Sequence, residues 1–171
     1  GLNFLVTLKL FNEFRQQHPS HPLKQLYFTS FEKFPIGLND LTQALKAWPE
    51  LAKEAQQLIA QYPLPISGCH RLNFNVEQTQ GVFLDLWLGD VNETLPLLPT
   101  HLHGSVNAWF LDGFAPSKNP DMWQDTLFEY VALLTAPNGT FATFTAAGLV
   151  RRSLQRVGFD IEKMKGFGKK R

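Results

Sequence analysis

The chain has 171 residues, 44% of them hydrophobic, with a formal net charge of +1 and one cysteine. That length supports one domain with its own core, residues 1–171, while the lone Cys69 excludes an internal disulfide framework. No apolar run reaches the ~18 residues of a membrane span, and Lys9 and Glu13 break the apolar opening, so no secretory signal is read and the cytoplasm is the expected compartment.

The opening "LNFLVTLKLFNEFRQQHP" sets Phe4, Leu5, Leu8 and Phe11 near one helical face, and His18-Pro19 ends it. "LYFTSFEKF" reads as an aromatic-rich strand closed by Pro35. "NDLTQALKAW" and "PELAKEAQQLIAQY" read as helices, the first capped by Asn39 or Asp40 and the second opened by Pro49. "RLNFNV" and "VFLDLWLGD" are strand-like and separated by "EQTQG", which predicts a hairpin.

"VNETLPLL" predicts a short helix and "VNAWFLD" a buried strand. "DMWQDTLFEYVALLT" predicts a longer helix, closed by the Pro-Asn-Gly of "APNGT". "TFATFT" follows as a strand, "AAGLVRRSLQRVG" as a helix and "FDIEKMK" as a last strand. This alternation of strands and helices predicts an α/β layered domain with a mostly parallel sheet. A helix at the very start is unusual, because an open sheet of this kind normally places a strand and its turn before it. The expectation is that the first strand lies upstream of Gly1.

Charge is unevenly distributed. Residues 151–171 hold eight Lys/Arg against two acids, a net +6, which leaves −5 on residues 1–150. A basic end of this kind suits either a solvated helix face or a polyanion.

In doubly wound sheets, ligands bind outside the carboxyl ends of the strands. Glu32, Asp90 and Asp112 each end a predicted strand. Asp90 also fits the cap of the next helix, and Glu32 fits either a surface loop or a ribose contact, where a carboxylate accepts bonds from hydroxyls. Asp112 stands apart. It precedes Gly113 rather than a helix start, and the "DGFAPSKNPDMW" loop is too rich in turn-formers to be generic. The five histidines form no set with metal-ligand spacing, so no metal is expected. "KGFGKK" reads as a hairpin turn, and Cys69 as a small packed residue.

Together, "GLNF", "SFEKFP", "GCHRL", "DLWLGD", "WFLDGFAPSKNPDMW", "ATFTAAGLVRR" and "KGFGKKR" resemble one family along the whole chain. It is the methyltransferase domain of the bifunctional tRNA 5-methylaminomethyl-2-thiouridine biosynthesis (MnmC) proteins. The resemblance implies a Rossmann-like class I sheet with helices on both faces. It implies S-adenosylmethionine as cofactor, and FAD only in a covalently linked oxidoreductase domain downstream of Arg171. The implied reaction methylates the 5-aminomethyl group of the wobble uridine in the tRNA anticodon region.

The family pattern makes Gly1 the last glycine of the loop that approaches the cofactor, with Leu2 and Asn3 opening the helix over it. The earlier glycines and the first strand would precede them. Glu32, with Lys33 beside it, matches the ribose position, and Gly89-Asp90 the adenine position. Asp112 matches the residue that faces the acceptor nitrogen, as catalytic group. Phe114, Pro116, Lys118, Arg151 and Arg152 would serve the RNA. Phe114, Trp109 or Trp123 is a candidate to stack on an extruded uridine, with Trp123 leaning to helix packing.

Two other readings fit the same strand-end acids. One is a nucleotide-binding oxidoreductase fragment. The other is a noncatalytic RNA-binding module that keeps the fold.

Overall fold

The computed structural model describes residues 1–77, 80–145, 147–162 and 164. It divides into two compact units, Gly1–Asp90 and Val91–Arg171.

The first unit starts with α1 (Leu2–Gln17), followed by β1 (Gln25–Glu32), α2 (Leu38–Leu45), a 3-10 turn at Pro49–Leu51 and α3 (Ala52–Gln61). A hairpin of β2 (Gly68–Glu77) and β3 (Gln80–Leu88) completes it. The three strands lie in the order β1-β3-β2, with β1 parallel and β2 antiparallel to β3. The hairpin read around "EQTQG" is therefore present, and its tip residues 78–79 lie outside the described residues.

Period-two alternation makes this sheet two-faced. Val82, Leu84, Leu86 and Leu88 of β3 are buried with Leu72 and Phe74 of β2. They share one core with Phe4, Leu5 and Leu8 of α1, Leu41 and Leu45 of α2, and Leu51, Ala55 and Leu58. Phe4 anchors it, its ring 5.3 Å from Phe28 and 5.0 Å from Phe74. Burial of each such side chain is worth about 1.5–3 kcal/mol. Phe11 joins only partly buried. The alternate residues build the other face as rungs. Tyr27 stacks on Phe83 at 4.9 Å, Arg71 forks onto Asp85 with two 2.7 Å bonds, and Phe31 lies over Trp87 at 6.4 Å.

The second unit runs α4 (Val91–Thr94), two short 3-10 turns, β4 (Val106–Phe110), a 3-10 turn at Pro120–Trp123, α5 (Asp125–Leu134), β5 (Thr135–Ala142) and α6 (Gly148–Arg156). β4 and β5 pair in parallel. Leu127, Phe128, Val131 and Leu134 of α5 are buried at helical spacing, and Val150 and Leu154 of α6 are buried as well. The Arg156 guanidinium pairs with Asp125 at 2.6 Å and holds its carboxyl below the usual range.

The α/β class and the alternation of elements are as expected from the sequence, with six local corrections. β4 is not a buried strand: among the described residues β5 is its one ladder partner, Asn107, Ala108 and Phe110 are exposed, and Val106 and Trp109 are half-buried. Cys69 lies exposed on β2 rather than packed. The cap of α2 is Gly37, because the helix begins at Leu38 and puts Asn39 and Asp40 inside its first turn. The helix expected over 121–135 is broken at Gln124, whose extended backbone separates the 3-10 turn from α5. Pro-Asn-Gly does not follow α5 as a loop but lies within β5. Two steps along β4, Val106 to Ala108, face five along β5, Thr135 to Thr140. The surplus is absorbed at Asn138, which has φ 63°, and at Gly139, where a Cβ would sit 2.9 Å from the carbonyls of Ala136 and Val106. The last strand is absent among the described residues of 159–164. Gly158 turns the chain at φ 100° and Phe159 packs edge-on to Phe141 instead. The "KGFGKK" turn, residues 165–170, lies outside the described residues.

Candidate functional site

In the first unit the parallel pair delivers two acids to adjoining strand ends. Glu32 closes β1 opposite Leu88, the last residue of β3. The Gly89 N–H donates to the Glu32 carbonyl at 3.0 Å, which carries the ladder one residue further. Gly89 does so at φ 149°, where a side chain would be strained, and Asp90 follows. Asp90 Oδ2 lies 2.6 Å from Lys33 Nζ. The pair is half exposed on the lysine side, so it is worth only about 0–1 kcal/mol, but it fixes where the Asp90 carboxylate points.

Glu32 is oriented by its own turn. Its Oε1 accepts the Phe34 N–H at 2.9 Å. Burial, and secondarily the Glu32 charge, push the Tyr62 hydroxyl up, so Tyr62 is a neighbour of this acid that the sequence reading missed. The only sequence cue was an aromatic residue at the end of a helix. Glu32, Lys33, Gly89 and Asp90 are thus gathered at one rim. Two carboxylates there can accept from ribose hydroxyls and an adenine amino group. Gly1, Leu2 and Asn3 sit at the start of α1, and a Cβ at Gly1 would meet no atom within 4 Å, which leaves its backbone open to close approach.

In the second unit β4 stops at Phe110 because the chain leaves the sheet. The Leu111 N–H still donates to the Ala142 carbonyl of β5 at 2.9 Å. Asp112 is exposed and begins the loop. Phe114 is 74% exposed, and its carbonyl accepts the Trp123 indole N–H at 2.8 Å. The Ala115 carbonyl accepts the N–H groups of Lys118 and Asn119 at 2.7 and 3.1 Å. Asn92 Nδ2 donates to the Asp121 carbonyl at 2.8 Å. Pro116 is half-buried, while Lys118 and the α6 residues Arg151 and Arg152 are exposed.

The aromatic candidates now separate. Trp123 is only 3% exposed, so it cannot stack on a ligand, which agrees with the packing role favoured for it. Trp109 is half-buried with its indole N–H on Thr135 Oγ1 at 2.8 Å. Phe114 alone of the three offers an open ring. Asp112 and Phe114 therefore present a hydrogen-bond acceptor and an apolar surface two residues apart on one loop, a combination suited to a polar group attached to a planar ring.

Among the described residues no group of three His, Cys, Asp or Glu is placed to hold a metal ion, and no helix is long and apolar enough to cross a membrane. The sequence model of a family described as S-adenosyl-L-methionine-dependent methyltransferase matches residues 49–171. That span holds Gly89, Asp90, Asp112, Phe114, Pro116, Lys118, Arg151 and Arg152, while Gly1 to Asn3, Glu32 and Lys33 precede it. It covers well over half of the chain and contains the ends of β3 and β4, where Asp90 and Asp112 follow. The chain belongs to the S-adenosyl-L-methionine-dependent methyltransferases.

Proposed function

We infer that this methyltransferase acts on tRNA as an MnmC-type enzyme, converting wobble 5-aminomethyl-2-thiouridine to its 5-methylaminomethyl form. The observation that carries the reading is the exposed pair of Asp112 and Phe114 on a loop pinned at the Phe114 and Asp121 carbonyls. An amine acceptor needs a group that can hold or take a proton, and a uridine needs a face to stack on.

The rim residues fit the cofactor by their chemistry. Glu32 and Asp90 are hydrogen-bond acceptors for hydroxyl and amino donors, Gly89 keeps a side chain away from the rim, and Gly1 keeps one away from the start of α1. Bound S-adenosylmethionine supplies an electrophilic methyl group on a sulfonium sulfur. The chain's own work is to deliver a neutral amine. At neutral pH a primary alkylamine is mostly protonated, so its lone pair is blocked. Asp112 accepts a hydrogen bond from the amine and takes its proton or passes it to water, while Phe114 holds the uracil ring in place. Lys118, Arg151 and Arg152 answer the phosphates, which makes RNA binding fall with salt. On this reading the protein is cytoplasmic and its chain continues into the upstream strand and the flavin domain of the bifunctional enzymes.

The test is transfer of labelled methyl to tRNA bearing 5-aminomethyl-2-thiouridine, with Asp112→Asn alongside. Loss of a proton acceptor is expected to lower the rate by about 10²–10⁴-fold while S-adenosylmethionine still binds. Equal loss of cofactor binding would move Asp112 to the cofactor site. Tight tRNA binding without methyl transfer by the parent protein would favour a noncatalytic RNA-binding module.

A further inference from the structure

Trp123 has no direct part in the reading above, because its ring is buried. Its surroundings nevertheless give it a task. The ring lies in the 3-10 turn Pro120–Trp123 with its centroid 6.2 Å from that of Phe128, which is itself fully buried on α5. A buried indole N–H needs an acceptor, and this one reaches nine residues back to the Phe114 carbonyl at 2.8 Å.

The residue before Phe114 lies against the same turn. A Cβ on Gly113 would run into Met122 Sδ and fall 3.5 Å from Trp123 Cζ2. Met122 and Trp123 therefore form a floor on which the backbone of 113–114 rests. With its backbone held down and no side chain at 113, the Phe114 ring is left 74% exposed. A free loop would tend to fold such a ring onto nearby apolar surface. The Ala115 carbonyl, taken by the N–H groups of Lys118 and Asn119, closes the loop on its far side.

We propose that Trp123 is a positioning residue for substrate recognition: its indole N–H, anchored through Phe128, tethers the Phe114 carbonyl and holds the Phe114 ring outward as a stacking surface for the acceptor base. The stacking role of Phe114 rests on the tRNA reading above, whereas the tether does not.

The experiment compares Trp123→Phe, Phe114→Ala and the double variant in the full chain. Trp123→Phe keeps an aromatic ring against Phe128 and removes only the donor. Amide hydrogen exchange across residues 113–119 is expected to quicken about tenfold in Trp123→Phe. With tRNA, its KM is expected to rise about three- to tenfold, with kcat and the cofactor Kd within about twofold of the parent, as the loss of one neutral hydrogen bond allows. On the Phe114→Ala background the same change is expected to leave KM where Phe114→Ala put it, because the two residues act through one ring. Unchanged hydrogen exchange in Trp123→Phe overturns the tether, and this readout needs no substrate, so it stands apart from any failure of the tRNA reaction. A KM penalty that persists in full without the Phe114 ring overturns the recognition role.

Discussion

At the rim of the first unit, Glu32 and Asp90 are organised by charge and by the sheet's own ladder; on the loop after β4, Asp112 and Phe114 are organised by packing and buried donors. The contrast follows from what precedes each residue. β1 and β3 end side by side, so Gly89 bonds back to Glu32 and a flexible side chain, Lys33, spans to Asp90 at 2.6 Å. Beyond β4 the chain turns into a loop, and side chains that reach it from elsewhere, Trp123 and Asn92, hold it at the Phe114 and Asp121 carbonyls. A charge-built rim is soft to salt and tolerant of substitution. A packed loop is indifferent to salt and intolerant of volume. Under the function proposed above, soft placement suffices for a cofactor gripped at many points, whereas the acceptor nitrogen must be placed to within a fraction of an ångström.

The comparison is tested hardest at Gly113. In Gly113→Ala the new methyl group collides with the Met122 thioether, whose end must move. That end is the tip of a flexible, half-buried side chain and can swing aside, and Trp123 Cζ2 stands at ordinary contact distance, so the expected result is about a two- to fivefold loss of methyl transfer and no more than about 1 kcal/mol of loop stability, with cofactor affinity unchanged. Met122→Ala added to Gly113→Ala makes room and is expected to recover most of the rate. A harmless Gly113→Ala would break the claim that this loop is volume-limited.

How much of this was legible beforehand divides along the same line. Glu32, Asp90 and Asp112 could be read as strand-end acids because apolar alternation stops where turn-formers begin. The hairpin could be read because two strand-like runs flank a short polar turn. Local chemistry misled at Pro137-Asn138-Gly139, which reads as a helix stop but is tolerated inside β5 as a bulge beside β4. It misled again at Asn39 and Asp40, good caps that the helix overran from Gly37. The fastenings themselves were out of reach. Lys33 and Asp90 are 57 residues apart, and the Trp123 donor finds a backbone carbonyl, which carries no sequence signal at all.

A comparable effect, confined to cofactor binding, is expected at Lys33. Lys33→Met keeps the aliphatic stem and removes the charge that orients Asp90. At low salt, S-adenosylmethionine binding is expected to weaken about two- to fivefold by calorimetry, within the range of a half-exposed ion pair. In 1 M salt, where the Debye length is about 3 Å, parent and variant are expected to converge. Thermal stability should hardly change. A salt-independent loss would show that Lys33 touches the cofactor itself, and the rim would then not be organised by charge.

The smallest effect is a shift in a titration, and it asks how far the charge-organised region extends behind the rim. Cys69 pairs with Trp87 in the hairpin, beside the pair formed by Gly68 and Leu88. Burial raises its thiol pKa, the Asp85 carboxylate raises it further, and the Arg71 guanidinium opposes both. Raising a thiol pKa depletes the thiolate at neutral pH, so alkylation of this exposed cysteine should be slow and its rate should climb at a higher pH than for a free cysteine, ordinarily about 8.5. Asp85→Asn removes the raising charge and leaves the lowering one, so the profile should move down in pH. Arg71→Met should move it up. Both displacements should shrink in high salt, because Arg71 is more than half exposed. A Cys69 profile at or below that of a free thiol, or displacements that ignore salt, would confine the charge-organised region to Lys33 and Asp90 and make the Arg71–Asp85 rung a part of the packing instead.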